Sequence, residues 1–288
     1  MTVARRPDEL EDARRAVAIG TFDGVHRGHL RVLDAALAAD GVPTVVTFDP
    51  HPRTVLGNRV ELLATLERRL ELLADAGIED VLVVRFDDAV AALSPEEFAE
   101  RTLRRIGAET VVAGEGFRFG HRRSGDLALL ERLGFRVAAV PLLDGVSSSR
   151  VRDLARVGAV GEAAQLLGRP VEVEGTVVLG DQRGGTLGFP TANLAVPADL
   201  LVPAYGIYAG AADGARAAVS IGTNPHYGGT ERRVEAHLLD FDGDLYGRRL
   251  VVELWARLRD ERSFASEREL VEQIAKDVEV TRVTSRPI

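Results

Sequence analysis

His26 and His29 stand three residues apart in the run GTFDGVHRGH, residues 20–29. There an apolar segment ends in a glycine-containing turn and a helical pattern begins. Such a turn aims backbone N–H groups and the positive end of a helix at a bound anion. Two imidazoles at that place can hydrogen-bond phosphate oxygens and stabilise the charge that develops when pyrophosphate leaves. Isolated histidines would as readily describe surface polarity or a chance metal pair. The setting favours the phosphate: TFDPHPR (47–53), with His51, and SSSRVR (147–152) also follow apolar segments and would share one edge of a parallel sheet. Ser147, Ser148 and Arg152 offer hydroxyls and a cation to a triphosphate, although an ordinary helix cap with surface arginines fits them equally well.

A second signature lies roughly half the chain away. GDQRGGTLGFPTAN, residues 180–193, has glycines at 180, 184, 185 and 188, followed by Pro190. Glycines let a backbone wrap closely around phosphates, and a proline stiffens the next turn. The run lacks GK[ST], so it is not a Walker A loop. A lone glycine-rich loop is more often a plain turn. The companion segment 220–247 carries Glu235, which can serve as a base or as a cross-strand partner for Arg232 or Arg233. The separation of the two signatures predicts two nucleotide sites in two domains.

The elements that must position these residues change in texture along the chain. In the first half, apolar or β-branched runs at 16–20, 44–48, 81–86, 110–113 and 136–140 alternate with helical patterns at 29–40, 66–77 and 94–107. That alternation predicts a doubly wound α/β domain with a parallel sheet, binding ligands at the carboxyl ends of its strands. Two short helices follow at 147–158 and 161–170. From Val171, strand patterns at 171–178, 205–212, 216–222, 233–241 and 248–258 are separated by Gly, Pro, Asn and Asp. They predict an antiparallel barrel or sandwich, with the barrel as the expectation carried forward, and a terminal helix over 266–277. The expected domains are residues 1–168 and 169–288.

Composition sets the outer bounds. Of 288 residues, 45% are hydrophobic and 28% charged, and no apolar run approaches the roughly 20 residues needed to cross a bilayer. The N-terminus has no apolar segment of the secretory kind, so the expected location is the cytoplasm. With no cysteine in the chain, any metal must be held by oxygen or imidazole. A net charge of −8 argues against a broad nucleic-acid footprint. Arg118, Arg122 and Arg123 form a local cluster that suits one small anion or, more commonly, a solvated surface. Composition does not set the oligomeric state.

GTFDGVHRGH, TFDPHP, GEGFRFGHRRSGD (114–126) and VSSSRVR (146–152) together resemble the HxGH nucleotidyltransferase superfamily. More narrowly, they resemble the FMN adenylyltransferase module of prokaryotic bifunctional FAD synthetases. GFPTANL with YGIYAG, the 220–247 segment and RLRDERSFAS resemble the riboflavin kinase family, over about residues 171–277. The two resemblances cover nearly the whole chain. They imply a bifunctional enzyme that phosphorylates riboflavin to FMN with ATP, then adenylylates FMN to FAD with release of pyrophosphate.

For the first module the resemblance implies a nucleotide loop of Gly20, Phe22, Asp23 and Gly24, with His26 and His29 on the ATP phosphates. Ser147, Ser148 and Arg152 would complete that grip, and His51 and Phe117 would shape the flavin side. For the second it implies a phosphate loop of Gly180, Gly184, Gly188 and Pro190, Thr191 and Asn193 holding Mg²⁺ and ATP, and Glu235 as base on the riboflavin 5′-hydroxyl. The chain departs from the family patterns at Gly116, usually Asp or Asn, and at Ser149, usually Thr. It departs again at Gly185, often Arg, for which Arg183 is the nearest substitute, and at NPHYGG, where Tyr227 keeps an aromatic ring. Gly116 motivates the alternative of a riboflavin kinase whose N-terminal domain adenylylates weakly or only binds nucleotide.

Overall fold

The computed structural model describes residues 1–180, 183–223 and 232–288, without the side chains of Arg183 and Thr186. It divides into two compact units, Met1–Val60 with Leu66–Val146, and Glu61–Thr65 with Ser147–Ile288.

In the first unit six parallel strands form one sheet: β1 (Thr2–Ala4), β2 (Arg15–Ile19), β3 (Val42–Asp49), β4 (Asp80–Arg85), β5 (Ala108–Gly114) and β6 (Arg136–Val140). Their order is β1-β4-β3-β2-β5-β6. Five of the six were expected. The edge strand β1, paired in parallel with β4, was not, because three residues are too few to show a period. Every residue of β2 is buried, as expected for a central strand covered on both faces. The chain runs outward from β2 through β3 to β4, then returns to the other side of β2 with β5. The strand order therefore reverses between β2 and β5, the place where open α/β sheets bind ligands, and Gly20 leaves β2 at this point.

Helix Arg27–Leu37 buries Val32, Leu33 and Ala36, and Leu66–Asp75 buries Leu72, Leu73 and, unexpectedly for a charge, Arg69. The expected 94–107 helix opens with a reciprocal Ser94 and Glu97 cap. It then passes through a π turn at Ala99–Leu103 and a 3₁₀ turn at Arg104–Ile106.

The second unit is a closed barrel, which settles barrel against sandwich. Its strands are β7 (Val171–Val178), β8 (Ala192–Ala195), β9 (Gly206–Ala212), β10 (Ala215–Thr223), β11 (Arg232–Leu238) and β12 (Arg249–Arg259). The order is β10-β11-β8-β7-β12-β9, and every neighbouring pair is antiparallel. The sequence reading missed β8. It lies inside the PTAN run, is four residues long, and is a strand because β7 and β11 hydrogen-bond it from both sides. Along β11, Val234, Ala236 and Leu238 point into the core, so Arg233, Glu235 and His237 alternate to the outer face.

The terminal helix Glu267–Val283 starts at the Ser266 cap and continues beyond Asp277. It is fastened to the barrel at Arg259, whose Nη2 lies 2.7 Å from Asp277 Oδ2. Helices Ser148–Arg156 and Val160–Leu167 bury Val151, Leu154, Val160, Ala163 and Leu167 in the same core as barrel residues Val171, Val173 and Leu254. The compact units part at Val146/Ser147, with Glu61–Thr65 also in the second. The helical period shows that these helices bury one face, but not which surface receives it.

Candidate active sites

In the first unit the carboxyl ends of β2, β3 and β5 carry the expected motifs. After Gly20 the chain turns through left-handed conformations at Phe22 (φ 49°), Gly24 (φ 78°) and Val25 (φ 35°). Non-glycine residues are strained there and persist where surrounding structure over-determines them. Phe22 and Asp23 are buried. His26 caps helix Arg27–Leu37, its Nδ1 accepting the His29 N–H at 3.2 Å. The two imidazoles stack with centroids 3.6 Å apart and planes inclined by 13°. The Phe22 ring meets His29 edge-on at 5.2 Å. His26, expected to precede the helix, thus determines where it starts.

His51 behaves alike at the end of β3, where its Nδ1 accepts the Arg53 N–H at 3.2 Å and the residue is buried. Beyond β5, Phe117 is half-buried and stacks on Phe119 at 5.6 Å. Gly116 is exposed and nothing lies within 4 Å of where its Cβ would be, so packing does not demand glycine there. Val146, at the end of this unit, has Cγ1 3.8 Å from the position of a Gly28 Cβ. Ser147 follows as the cap of helix Ser148–Arg156, accepting the Arg150 N–H at 3.1 Å. Ser147, Ser148 and Arg152 belong to the second unit, where Arg152 Nε donates to the Glu61 carbonyl at 2.7 Å.

In the barrel, Glu235 on β11 pairs in register with Asn193 on β8 and Ser220 on β10. Cross-strand partners share a face, so the three half-buried side chains project together. Glu235 and Ser220 border a cavity of about 310 Å³ that Thr191, Phe189, Arg259 and Phe264 also line. A second cavity of about 250 Å³ is bordered by Pro190, Thr191 and the turn containing Asp242, Asp244 and Tyr246. Thr191 lines both. Its Oγ1 lies 3.3 Å from where a Gly184 Cβ would be, and Asn193 Oδ1 lies 2.6 Å from where a Gly180 Cβ would be. The glycines thus make room for the oxygen-bearing side chains of the PTAN strand. Gly188 adopts φ 85°, a left-handed turn that suits glycine.

Arg232 is engaged away from Glu235: its Nη1 donates to the Val202 carbonyl at 2.6 Å and its guanidinium lies 4.8 Å from the Tyr205 ring centroid. It sits on the opposite face of β11 from Glu235. The cavity also contains residues that motif reading did not single out. His237 Nδ1 donates to the Pro190 carbonyl at 2.8 Å and ties β11 to the glycine-rich loop. Arg259 and Arg262 reach the Phe264 ring, with guanidinium-to-centroid distances of 5.8 Å and 4.8 Å. The signal for this wall was the RLRDERSFAS run, but β12 has two register shifts against β9, and such bulges re-aim side chains unpredictably. Tyr227 and the other residues of NPHYGG, and the Arg183 side chain, lie outside the described residues.

The oxygen donors Thr191 and Asn193 suit a hard cation that also takes substrate phosphates and water. Asn193 Nδ2 lies 3.5 Å from the Thr191 carbonyl, which leaves Oδ1 as its acceptor. Among the described residues no group of three or more His, Cys, Asp or Glu is placed to hold a metal ion.

Comparison with known proteins gives matches along the chain. A family model described as FAD synthetase matches residues 8–151, and one described as riboflavin kinase matches residues 167–284. A bifunctional riboflavin kinase/FMN adenylyltransferase of Listeria monocytogenes is 36% identical over 96% of this chain and 94% of its own. The protein of that name from Escherichia coli K12 is 36% identical over 91% and 90%. A crystal structure from Streptococcus pneumoniae, described as a macrolide-efflux protein, superposes with a TM-score of 0.86 at 31% identity, covering 98% of this chain and 99% of that one. Among the described residues here, no helix is long and apolar enough to cross a membrane.

Proposed function

The chain belongs to the bifunctional riboflavin kinase/FMN adenylyltransferase family, and from that premise we propose how its two activities divide between the two sites. The protein phosphorylates riboflavin to FMN with ATP and adenylylates FMN to FAD, releasing pyrophosphate. The kinase is assigned to the barrel and the adenylyltransferase to the sheet edge, with residue 168 as the boundary between the two activities.

For the kinase, the observation that carries the assignment is Thr191 standing between two cavities. Phosphoryl transfer joins two substrates at one point. The larger cavity, with Phe189 and Phe264, suits the flat apolar ring of riboflavin, and the cavity by Asp242–Tyr246 suits the nucleotide. Glu235 would accept the proton of the 5′-hydroxyl as it attacks the γ-phosphorus. Ser220, opposite it, would orient that hydroxyl, and the Gly180–Gly188 loop would turn backbone N–H groups to the phosphates. Mg²⁺ held by Thr191 and Asn193 would neutralise charge on the transferring phosphate. Gly180→Ala drives a methyl into the Asn193 carboxamide and is expected to lower kinase activity about 10- to 100-fold. A magnesium titration of the variant should show a higher requirement.

For the adenylyltransferase, the FMN phosphate attacks the α-phosphorus of ATP directly, so no covalent enzyme intermediate is needed. The helix cap supports a specific role for His26. Its Nδ1 accepts a backbone proton, so in the neutral ring Nε2 carries the hydrogen and is the donor available to a phosphate oxygen. His29, stacked on it, would share the developing charge of pyrophosphate. Gly20, Phe22, Asp23 and Gly24 would form the loop beneath the nucleotide, and His51 and Phe117 would contact the flavin side. Ser147, Ser148 and Arg152 remain proposed phosphate contacts on their motif. A cytoplasmic location belongs to the same reading.

The test separates riboflavin, FMN and FAD by chromatography after incubation with ATP and Mg²⁺, starting one reaction from riboflavin and another from FMN. FAD is expected in both. FMN accumulating without FAD would overturn the sheet-edge assignment, and loss of riboflavin conversion alone would overturn that of the barrel.

A further inference from the structure

Arg69 is a buried charged residue of the first unit to which the mechanism above gives no role. It occupies the buried face of helix Leu66–Asp75 beside Leu72 and Leu73 and is only 4% exposed. A cation on such a face is costly, and an apolar residue of similar volume is often neutral or stabilising in its place. Burial holds the Arg69 guanidinium below its ordinary pKa, against the opposing attraction of Asp23 and Asp49. Its Nε is buried without a hydrogen-bond partner among the described residues. Stability alone does not account for this side chain.

Its side-chain hydrogen bond points to the nucleotide loop. Arg69 Nη1 donates to the Thr21 carbonyl at 2.7 Å, and Thr47 Oγ1 donates to the same oxygen at 3.1 Å. Thr21 is the residue immediately before the turn Phe22–Val25, left-handed at Phe22, Gly24 and Val25, which leads into the His26 cap. Of the carboxylates that attract the guanidinium, Asp23 belongs to the loop after β2 and Asp49 ends β3, where the loop carrying His51 begins. One buried cation thus sits behind both loops that carry the candidate histidines of this edge.

We propose that Arg69 is a positioning residue for adenylyl transfer, holding the Thr21 carbonyl so that the strained turn presents His26 and His29 to the ATP phosphates. The inference rests on the assignment of adenylyl transfer to this sheet edge. Its positive charge, buried under the loop, also adds to the potential that draws the anionic nucleotide.

The experiment compares full-length Arg69→Leu and Arg69→Lys with the unsubstituted chain, measuring kcat and KM for FMN adenylylation, riboflavin phosphorylation by the same preparations, and thermal unfolding. Because misplacing reacting groups by about 1 Å costs on the order of 10²-fold, Arg69→Leu should lower adenylylation kcat by roughly that factor. Kinase activity and thermal stability should be undiminished. Arg69→Lys should recover part of the loss, since it restores the cation without the planar fork. Adenylylation by Arg69→Leu at the native rate would overturn the proposal. So would equal losses in both variants accompanied by a lower melting temperature, which would mark a purely structural role. If the unsubstituted chain makes no FAD from FMN, the site assignment itself falls and the inference with it.

Discussion

Glu235→Gln is expected to lower riboflavin phosphorylation by roughly 10²- to 10⁴-fold, the range for loss of a general base, while FMN adenylylation continues at its native rate. Glutamine keeps the length and planarity of the side chain, so the two ladders that hold Glu235 opposite Asn193 and Ser220 should survive. What disappears is a group able to take the 5′-hydroxyl proton. Circular dichroism checks that the barrel remains intact, and the two rates are read on one preparation by following FMN from riboflavin and FAD from FMN. Parallel loss of both activities would sink the claim that each has its own site. A kinase rate close to native would remove Glu235 from the chemistry and leave it as a strand residue.

His29→Ala is expected to do the converse, lowering FAD formation from FMN by about tenfold to a thousandfold with the kinase unaffected. The structure makes this substitution more informative than its neighbour. The His26 cap uses the His29 backbone N–H, which alanine retains, whereas His26→Ala would also remove the cap, worth about 1 kcal/mol. His29→Ala removes only the ring that stacks on His26 and meets the Phe22 edge. The measurement is single-turnover FAD formation, with the melting temperature as the control for folding. Unchanged FAD formation would exclude His29 from the site.

Several features were legible in the sequence because they depend on residues a few positions apart. The β-branched runs of β2 to β6 follow strand composition, and the Ser94 and Ser266 caps follow from a hydroxyl three residues before the N–H it accepts. The closely spaced motif pairs His26 with His29 and Thr191 with Asn193 were visible for the same reason. What was missed depends on distant partners. β1 is a strand through β4, and β8 through β7 and β11. Nothing local marks Arg69 as buried; its hydrogen-bond acceptor, the Thr21 carbonyl, lies 48 positions earlier.

The amino-acid order by itself determined the two-part architecture, the parallel sheet edge with its histidine turn, the barrel texture from Val171 onward, and the family to which both halves belong. These are carried by local periodicity, turn chemistry and short motifs, all of which act within one element or its junction. Only the tertiary structure decided that the barrel closes through β8, that Glu235 faces Asn193 and Ser220, and that Thr191 separates two cavities. It also decided that helices Ser148–Arg156 and Val160–Leu167 pack into the barrel's core and that a buried arginine bonds the Thr21 carbonyl ahead of the His26 turn. Register and burial are set by which surfaces meet across the fold, and a one-residue slip would turn Glu235 from the cavity into the core.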